Sequence, residues 1–285
     1  MSEWVYRIQC LVPDSQREAV DCFLWENVSW GWEESESDSG EVSVYCSDCD
    51  QAGSLADRLE QACPEVRATV RREKSRQWHH IWRDFFQPVP VAGTFLILPS
   101  WREPSDGEGH LIPIYIYPEM AFGTGHHPTT HLCLEAIAEL HAEGWITPNT
   151  RCLDLGTGSG ILGIACAASG AWTLGVDNDR NALHNAGTNR RLNRTEKRFP
   201  LAVGDLGCLP GWAAFDLILA NILADPLREM AIDLAQRLAP GGRLILSGLL
   251  QSQEEDVGGA YSGAGLCGPR VLRQKEWSAL IWRKD

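Results

Sequence analysis

The sequence predicts an α/β fold with a mostly parallel, doubly wound sheet, and three observations carry that prediction. Short apolar runs alternate with helical patterns through the second half of the chain, as in folds built from repeated β-α-β units. A glycine-rich turn, GTGSG at 156–160, lies between an apolar run and a run of small and apolar residues. Asp177 ends the next apolar run, about twenty residues after the turn, where an acidic residue binds ribose in nucleotide-binding β-α-β units.

The glycine turn indicates a nucleoside ligand. Gly156, Gly158 and Gly160 allow positive φ angles and a close approach of a ligand to the backbone. The predicted helix at Ile161 would direct its N-terminus at that ligand. The spacing is G-x-G-x-G with Asp154 before it, whereas dinucleotide sites have G-x-G-x-x-G. This combination resembles the S-adenosylmethionine (AdoMet) site of class I methyltransferases. A nucleotide-dependent oxidoreductase and a tight turn without a ligand are the alternatives.

Composition and charge narrow the class of protein. The chain has 285 residues, with 44% hydrophobic and 22% charged, as in a globular protein of one large or two smaller domains. Its net charge of -13 disfavours binding to nucleic acid and would attract a basic partner. No signal-peptide pattern and no long apolar run is present, so we expect a cytoplasmic protein without membrane contact. We also expect a monomer.

The cysteines and histidines do not predict a metal site. Several of the ten cysteines lie in apolar patterns, where a free thiol packs as a small apolar group. The one C-x-x-C, Cys46–Cys49, has no second pair at zinc spacing and is interpreted as a strand end and a loop. His126, His127 and His131 have no cysteine or carboxylate at ligand spacing. We therefore predict no metal.

Residues 1–72 are predicted to form a small α+β domain that recognises the substrate. Its strand and helix patterns follow the order βαββαβ, the ferredoxin-like arrangement. The predicted elements are Trp4–Val12, Asp14–Asn27, Ser29–Glu34, Glu41–Cys46, Gln51–Ala62 and Glu65–Arg72. Residues 73–110 are predicted to be a linker, helical and aromatic at first and then extended. Residues 111–285 are predicted to be the methyltransferase domain.

The second domain begins with a strand and a glycine-bracketed stretch, EMAFGTGHHPTT at 119–130. Thr129 or Thr130 is expected to cap the helix that follows. We predict that Thr130 contacts the methionine end of AdoMet and that Phe122 shields the site from water. Further on, the helices are expected over 181–192, 225–238 and 252–262, and an antiparallel hairpin over 271–283.

Polar and flexible residues are predicted to meet at one edge of the sheet. Gly156, Asp177, Asp205 and Asn221 each follow a predicted strand. Ligands of such sheets bind beyond the carboxyl ends of the strands, so these residues are expected to line one site. Asp205 is either a partner of the adenine amino group or a turn aspartate.

Five stretches resemble the ribosomal protein L11 methyltransferase family. They are AFGTGHHPTT (121–130), LDLGTGSGILGIA (153–165), GVDND (175–179), ANILADPL (220–227) and LAPGGRLILSGLLQSQ (238–253). The resemblance implies transfer of methyl groups from AdoMet to amino groups of a basic large-subunit ribosomal protein. Lysine side chains are the expected acceptors, and the N-terminal amine is a further candidate. It also implies that the N-terminal domain holds that substrate.

The resemblance implies AdoMet contacts at Thr130, Gly156, Asp177 and Asn221. With Phe122, Asp154, Gly158 and Asp205, which the turn, the loop and the strand ends indicate, these residues make up the predicted cofactor site. Two positions depart from the family pattern. His126 stands where the family usually has threonine, and Thr157 stands where it usually has cysteine.

Asn221 is the predicted catalytic residue, which orients the substrate amine through its side-chain or backbone oxygen. It stands where other amino-methylating enzymes of the superfamily have an N/D-P-P-Y motif, of which this chain keeps only part. No general base is predicted. Two alternatives stay open: a class I methyltransferase for another protein or a small molecule, and a non-catalytic AdoMet-binding factor in ribosome assembly. Turnover separates the second from an enzyme.

Overall fold

The computed structural model describes residues 4–28, 32–34, 40–46, 48–74, 87–105, 107–117, 125 and 127–285. The chain divides into two compact units, Met1–Phe86 and Gln87–Asp285. The functional boundaries proposed above, at 1–72, 73–110 and 111–285, stay a prediction. No helix in the described ranges is both long and apolar enough to cross a membrane.

The described residues of the first unit form a four-stranded antiparallel sheet in the order β2-β3-β1-β4, with two α-helices. Its elements are β1 Trp4–Leu11, α1 Arg17–Asn27, β2 Trp32–Glu34, β3 Glu41–Cys46, α2 Cys49–Ala62 and β4 Arg67–Lys74. This is the predicted βαββαβ order. α2 begins at Cys49 because the Asp48 carboxylate accepts hydrogen bonds from the N–H groups of Asp50 and Gln51. The C-x-x-C therefore spans a strand end and a helix start, and both thiols are free.

The second unit contains a seven-stranded sheet in the order β10-β9-β8-β11-β12-β14-β13. Its strands are β8 Arg151–Leu155, β9 Trp172–Asp177, β10 Leu201–Val203, β11 Phe215–Asn221, β12 Leu238–Leu250, β13 Arg270–Gln274 and β14 Trp277–Arg283. β8 to β12 run parallel, and β14 pairs antiparallel with β12 and β13. The mostly parallel sheet is thus as predicted.

The described helices of this unit are α3 Pro128–Ala142, α4 Ile161–Ala168, α5 Arg180–Leu192, α6 Ala224–Glu229, α7 Ala231–Arg237 and α8 Glu254–Gly263. Successive strand residues point to opposite faces, so Leu217 joins one apolar core and Ile218 another. α3 and α4 pack on the first core, and α6, α7 and α8 on the second. The sheet is therefore covered on both faces.

A second, three-stranded sheet precedes α3 along the chain. It consists of β5 Val89–Val91, β6 Phe95–Pro99 and β7 Ile112–Ile116, with β5 antiparallel and β7 parallel to β6. β6 is buried along its whole length, which explains its unbroken apolar sequence. β7 matters for the site because its end lies against α5 through side-chain hydrogen bonds.

One helix start and one helix interior differ from the sequence-based prediction. The cap of α3 is His127, whose ring nitrogen Nδ1 accepts from the N–H of Thr129 at 3.3 Å. Pro128 occupies the first helical position, which it favours, and so Thr129 and Thr130 lie inside the helix. The helix predicted over 225–238 is broken at Met230, whose ψ of 5° is not helical.

Gly163 in α4 lies directly against the buried ring of Phe199. A Cβ added there would come within 2.2 Å of Phe199 Cε2 and 2.9 Å of Asp154 Oδ2. Because Gly163 has no side chain, α4 can pack closely against Phe199 and Asp154 beneath the glycine turn.

Gly163→Ala is expected to lower the free energy of unfolding by about 1–3 kcal/mol, because the extra methyl group overpacks a filled core. The matched control is Gly258→Ala in α8, where an added Cβ meets nothing within 4 Å. There alanine should stabilise the helix by about 0.5–1 kcal/mol. Chemical denaturation measures both, and equal effects of the two substitutions would contradict this packing.

Candidate active site

The glycine turn at the end of β8 requires glycine on steric grounds. Gly156 has φ of 69° and Gly158 has φ of 54°, in the left-handed region that favours glycine. A Cβ on Gly156 would also come within 2.5 Å of Ile222 Cγ2. The turn therefore packs directly against the segment that follows β11.

Hydrogen bonds fix this turn against the end of the neighbouring strand β9. The N–H groups of Gly156 and Thr157 both donate to the carbonyl of Val176, at 2.8 and 3.1 Å. The N–H of Gly158 donates to Oδ2 of Asp177 at 2.9 Å. The carboxylate of Asp177, which ends β9, is thereby held beside the glycine turn. This is the relation that the sequence spacing predicted.

Asp154 lies beneath the turn and is only 1% exposed. Its Oδ2 accepts from Thr157 Oγ1 at 2.5 Å and from the N–H of Gly163 at 2.9 Å. Burial raises the pKa of Asp154 to about 6, and the charge of Asp177 adds to this, while the hydrogen bonds from Thr157 and Gly163 oppose it. Asp154 thus joins the turn to α4, and its predicted contact with the cofactor stays a prediction.

Thr157 is a residue whose contribution sequence reasoning missed. The sequence marks it only as a departure from the usual cysteine, yet its hydroxyl donates the shorter of the two hydrogen bonds to Asp154. A hydroxyl is a stronger donor than a thiol. Its position three residues after a strand-end aspartate is the signal that could have indicated this contact.

Asn221 and Thr130 meet at the end of β11. Nδ2 of Asn221 donates to Oγ1 of Thr130 at 3.3 Å, and Thr130 is fully buried in the first turn of α3. Oδ1 of Asn221 is buried and has no hydrogen-bond partner among the described residues. A buried acceptor without a partner costs about 1–3 kcal/mol, so this oxygen is suited to receive a donor from a ligand.

The strand register brings the predicted residues to one edge. Ala220, next to Asn221, pairs with Leu155 of β8, and Leu155 pairs with Val176 of β9. Val203 of β10 pairs with Asp177. The four strands therefore end level with one another.

Asp205 and Phe122 complete the set of predicted site residues. Asp205 follows β10, and its Oδ1 accepts from the N–H of Gly207 at 2.7 Å, so it caps the short turn Leu206–Cys208. Its proposed contact with adenine stays a prediction. Phe122 lies outside the described residues, and so its shielding role also stays a prediction.

The imidazole of His127 is partly buried at the start of α3. Burial lowers the pKa of His127 to about 4, against a smaller opposing effect of Glu276. Its ring meets Trp277 edge-on, with the ring centroids 4.9 Å apart. Within the described residues no group of three histidine, cysteine or carboxylate side chains could hold a metal ion.

The chain is similar to a known protein family and to its members. The model of the family described as "Ribosomal protein L11 methyltransferase (PrmA)" matches residues 12–285. The chain belongs to this family. The ribosomal protein L11 methyltransferase of Syntrophotalea carbinolica is 41% identical over 230 residues, covering 80% of this chain and 71% of that relative. The one of Geobacter sulfurreducens is 37% identical over 279 residues, covering 94% and 87%.

Solved structures share the fold of this chain. The crystal structure of ribosomal protein L11 methylase from Lactobacillus delbrueckii subsp. bulgaricus has a TM-score of 0.62 at 28% identity, and covers 70% of this chain and 100% of that one. The T. Thermophilus 16S rRNA N2 G1207 methyltransferase, in complex with AdoMet and guanosine, has a TM-score of 0.51 at 24% identity and shares the fold; it covers 59% of this chain and 46% of that one. The predicted class I fold, the methyltransferase activity and AdoMet as methyl donor are confirmed.

The raised pKa of Asp154 predicts a pH dependence of stability. Between about pH 4 and 6 the folded protein keeps a proton that the unfolded chain releases, so the free energy of unfolding falls as pH rises through this range. Asp154→Asn cannot titrate. As pH rises through this range, the free energy of unfolding of the wild type should therefore fall relative to that of the variant. The fall should be about 1.4 kcal/mol for each unit by which the pKa of Asp154 differs between the folded and unfolded states.

Denaturant unfolding of both proteins from pH 4 to pH 7 tests this prediction. The difference between the two free energies should change in that window and level off above it. Two curves that stay parallel would show that Asp154 does not titrate as described.

Proposed function

We propose that this protein transfers methyl groups from AdoMet to amino groups of ribosomal protein L11. Lysine side chains are the proposed acceptors, and the N-terminal amine is a further candidate. Family membership and the printed names of the relatives support the substrate. We assign to Asn221 the role of accepting a hydrogen bond from the substrate amine. The observation that supports this role is its Oδ1, which is buried beside Thr130 and has no partner among the described residues.

The described residues fit AdoMet. Asp177 offers carboxylate oxygens to the ribose hydroxyls. Gly156 and Gly158 have positive φ angles and no side chains, so a ligand can approach the backbone of the turn closely. Thr130 and Asn221 are the proposed partners of the methionine end, and Asp205 is the proposed partner of the adenine amino group. When bound, AdoMet would supply an electrophilic methyl group on a sulfonium, and the leaving group, the neutral thioether of S-adenosylhomocysteine, needs no acid to protonate it.

Asn221 has the task of orienting the nucleophile. Its Oδ1 can accept a hydrogen bond from a neutral amine and so direct the nitrogen lone pair at the methyl group. A free lysine has a pKa of about 10.4, and each unit by which the site lowers it is worth about 1.4 kcal/mol. Removal from water favours the neutral amine. No described carboxylate is proposed as a base, since Oδ2 of Asp154 is engaged by Thr157 and Gly163.

The rest of the proposal concerns partners and setting. The first unit has no glycine turn or metal cluster among its described residues, and we assign it to substrate recognition. The net charge of -13 suits a basic ribosomal protein and disfavours direct nucleic-acid binding. We propose a monomer that acts in the cytoplasm without membrane contact.

A transfer assay tests the substrate. The purified protein, methyl-labelled AdoMet and unmethylated ribosomal proteins of the same cell are incubated, and the label is assigned by mass spectrometry. Label on lysines or the N-terminal amine of L11 is expected. Label on another protein would overturn the substrate and keep the methyltransferase.

Asn221→Ala is expected to lower kcat at saturating AdoMet by about 10- to 100-fold, as for loss of one oriented hydrogen bond at a buried site. The control is Asn149→Ala, the same change at an exposed asparagine before β8, which should leave kcat unchanged. Wild-type turnover by Asn221→Ala would refute the proposed role of this side chain.

A further inference from the structure

Three asparagines at intervals of four residues form a ladder of amides along α5 and its end. Nδ2 of Asn189 donates to Oδ1 of Asn185 at 2.9 Å, and Nδ2 of Asn193 donates to the carbonyl of Asn189 at 2.8 Å. Asn185 is 2% exposed and Asn189 is fully buried. Buried amides are costly unless they are paired, so the contacts that they make indicate what the ladder is for.

Asn193 and Asn189 form hydrogen bonds with the backbone at the free edge and the end of β7. Asn193 accepts from the N–H of Tyr115 at 2.8 Å and donates to the carbonyl of the same residue at 2.6 Å. Its amide thus satisfies both backbone groups of one residue, as a neighbouring strand would. One turn earlier, Oδ1 of Asn189 accepts from the N–H of Tyr117 at 2.8 Å.

Asn189 differs from Asn193 because it also reaches the glycine turn. Its Nδ2 donates to the carbonyl of Ser159 at 2.8 Å. On the other side of the same peptide bond, the N–H of Gly160 donates to the carbonyl of Thr157 at 2.8 Å. The peptide unit is planar, so these two hydrogen bonds together fix its orientation.

That peptide needs such a constraint. Gly158 precedes Ser159 and Gly160 follows it, and both glycines have positive φ angles. Glycine has little steric preference among backbone regions, so a peptide next to it can rotate to another orientation at little cost. Such a rotation would turn the Ser159 carbonyl away from α5 and rearrange the backbone at the proposed AdoMet site.

We propose that Asn189 is a positioning residue for AdoMet binding. It holds the Ser159–Gly160 peptide in the orientation that the cofactor site requires, and it does so before the cofactor arrives. Preorganisation raises affinity because the peptide is already ordered before AdoMet binds, so the free-energy cost of ordering it does not reduce the binding free energy. This inference rests on the proposed location of AdoMet at the glycine turn. Asn193 belongs to the same ladder, but within the described part of the chain its side chain forms hydrogen bonds only with β7 and α5, so it should not affect affinity.

The experiment compares Asn189→Asp with Asn193→Asp. Each substitution keeps an acceptor for a backbone N–H, of Tyr117 in one case and of Tyr115 in the other. Each also places a carboxylate oxygen against a backbone carbonyl, of Ser159 and of Tyr115 respectively. The pair Asn189→Ala and Asn193→Ala removes the amides without adding charge, in case a buried carboxylate prevents folding. Calorimetric titration with AdoMet at pH 8 gives Kd, and thermal unfolding gives Tm.

Both substitutions of each pair should lower Tm, but only those at Asn189 should weaken AdoMet binding, by about tenfold. The KM for AdoMet should rise with Kd, while kcat at saturating AdoMet stays near the wild-type value. Equal Kd values for the two positions would overturn the inference. A wild type that does not bind AdoMet would overturn the proposed cofactor site itself, which is a separate result.

Discussion

The pairing of the buried Asp154 carboxylate is the interaction on which the site depends. One carboxylate oxygen accepts from the Thr157 hydroxyl in the turn and from the Gly163 N–H in α4. Strand, turn and helix are thereby joined at a single atom, in a place where burial works against the charge. The turn keeps its shape because this contact and the packing of Gly163 against Phe199 act together.

The neighbouring strands β9 and β11 then add further constraints. β9 supplies the Val176 carbonyl and the Asp177 carboxylate to the turn, and β11 places Asn221 level with it. The residues proposed for cofactor binding and catalysis come from different strands and reach one edge because parallel strands end together there. Positioning of this kind is the main requirement of the reaction, since methyl transfer from AdoMet depends on alignment of the reacting atoms.

The fold was predictable where the information is local. The extent of α4, Ile161–Ala168, follows from the glycine turn and the run of small residues, and the edge residues follow from the strand ends. The cap of α3 was not predicted, because Pro128 makes the residue before it the cap, and histidine is an uncommon one. The asparagine ladder was also missed. Its contacts join α5 to β7, with Tyr117 and Asn189 separated by 72 positions, and no local pattern contains them.

The affinity of AdoMet for Asp177→Ala tests most directly whether this edge is the cofactor site. Asp177 is proposed to bind the ribose hydroxyls, so its removal should raise Kd by about tenfold or more, as for loss of hydrogen bonds to a charged group. Asp179→Ala is the control, because Asp179 caps α5 through the N–H of Asn181 and its loss should affect stability alone. An unchanged Kd for Asp177→Ala would contradict the proposed site.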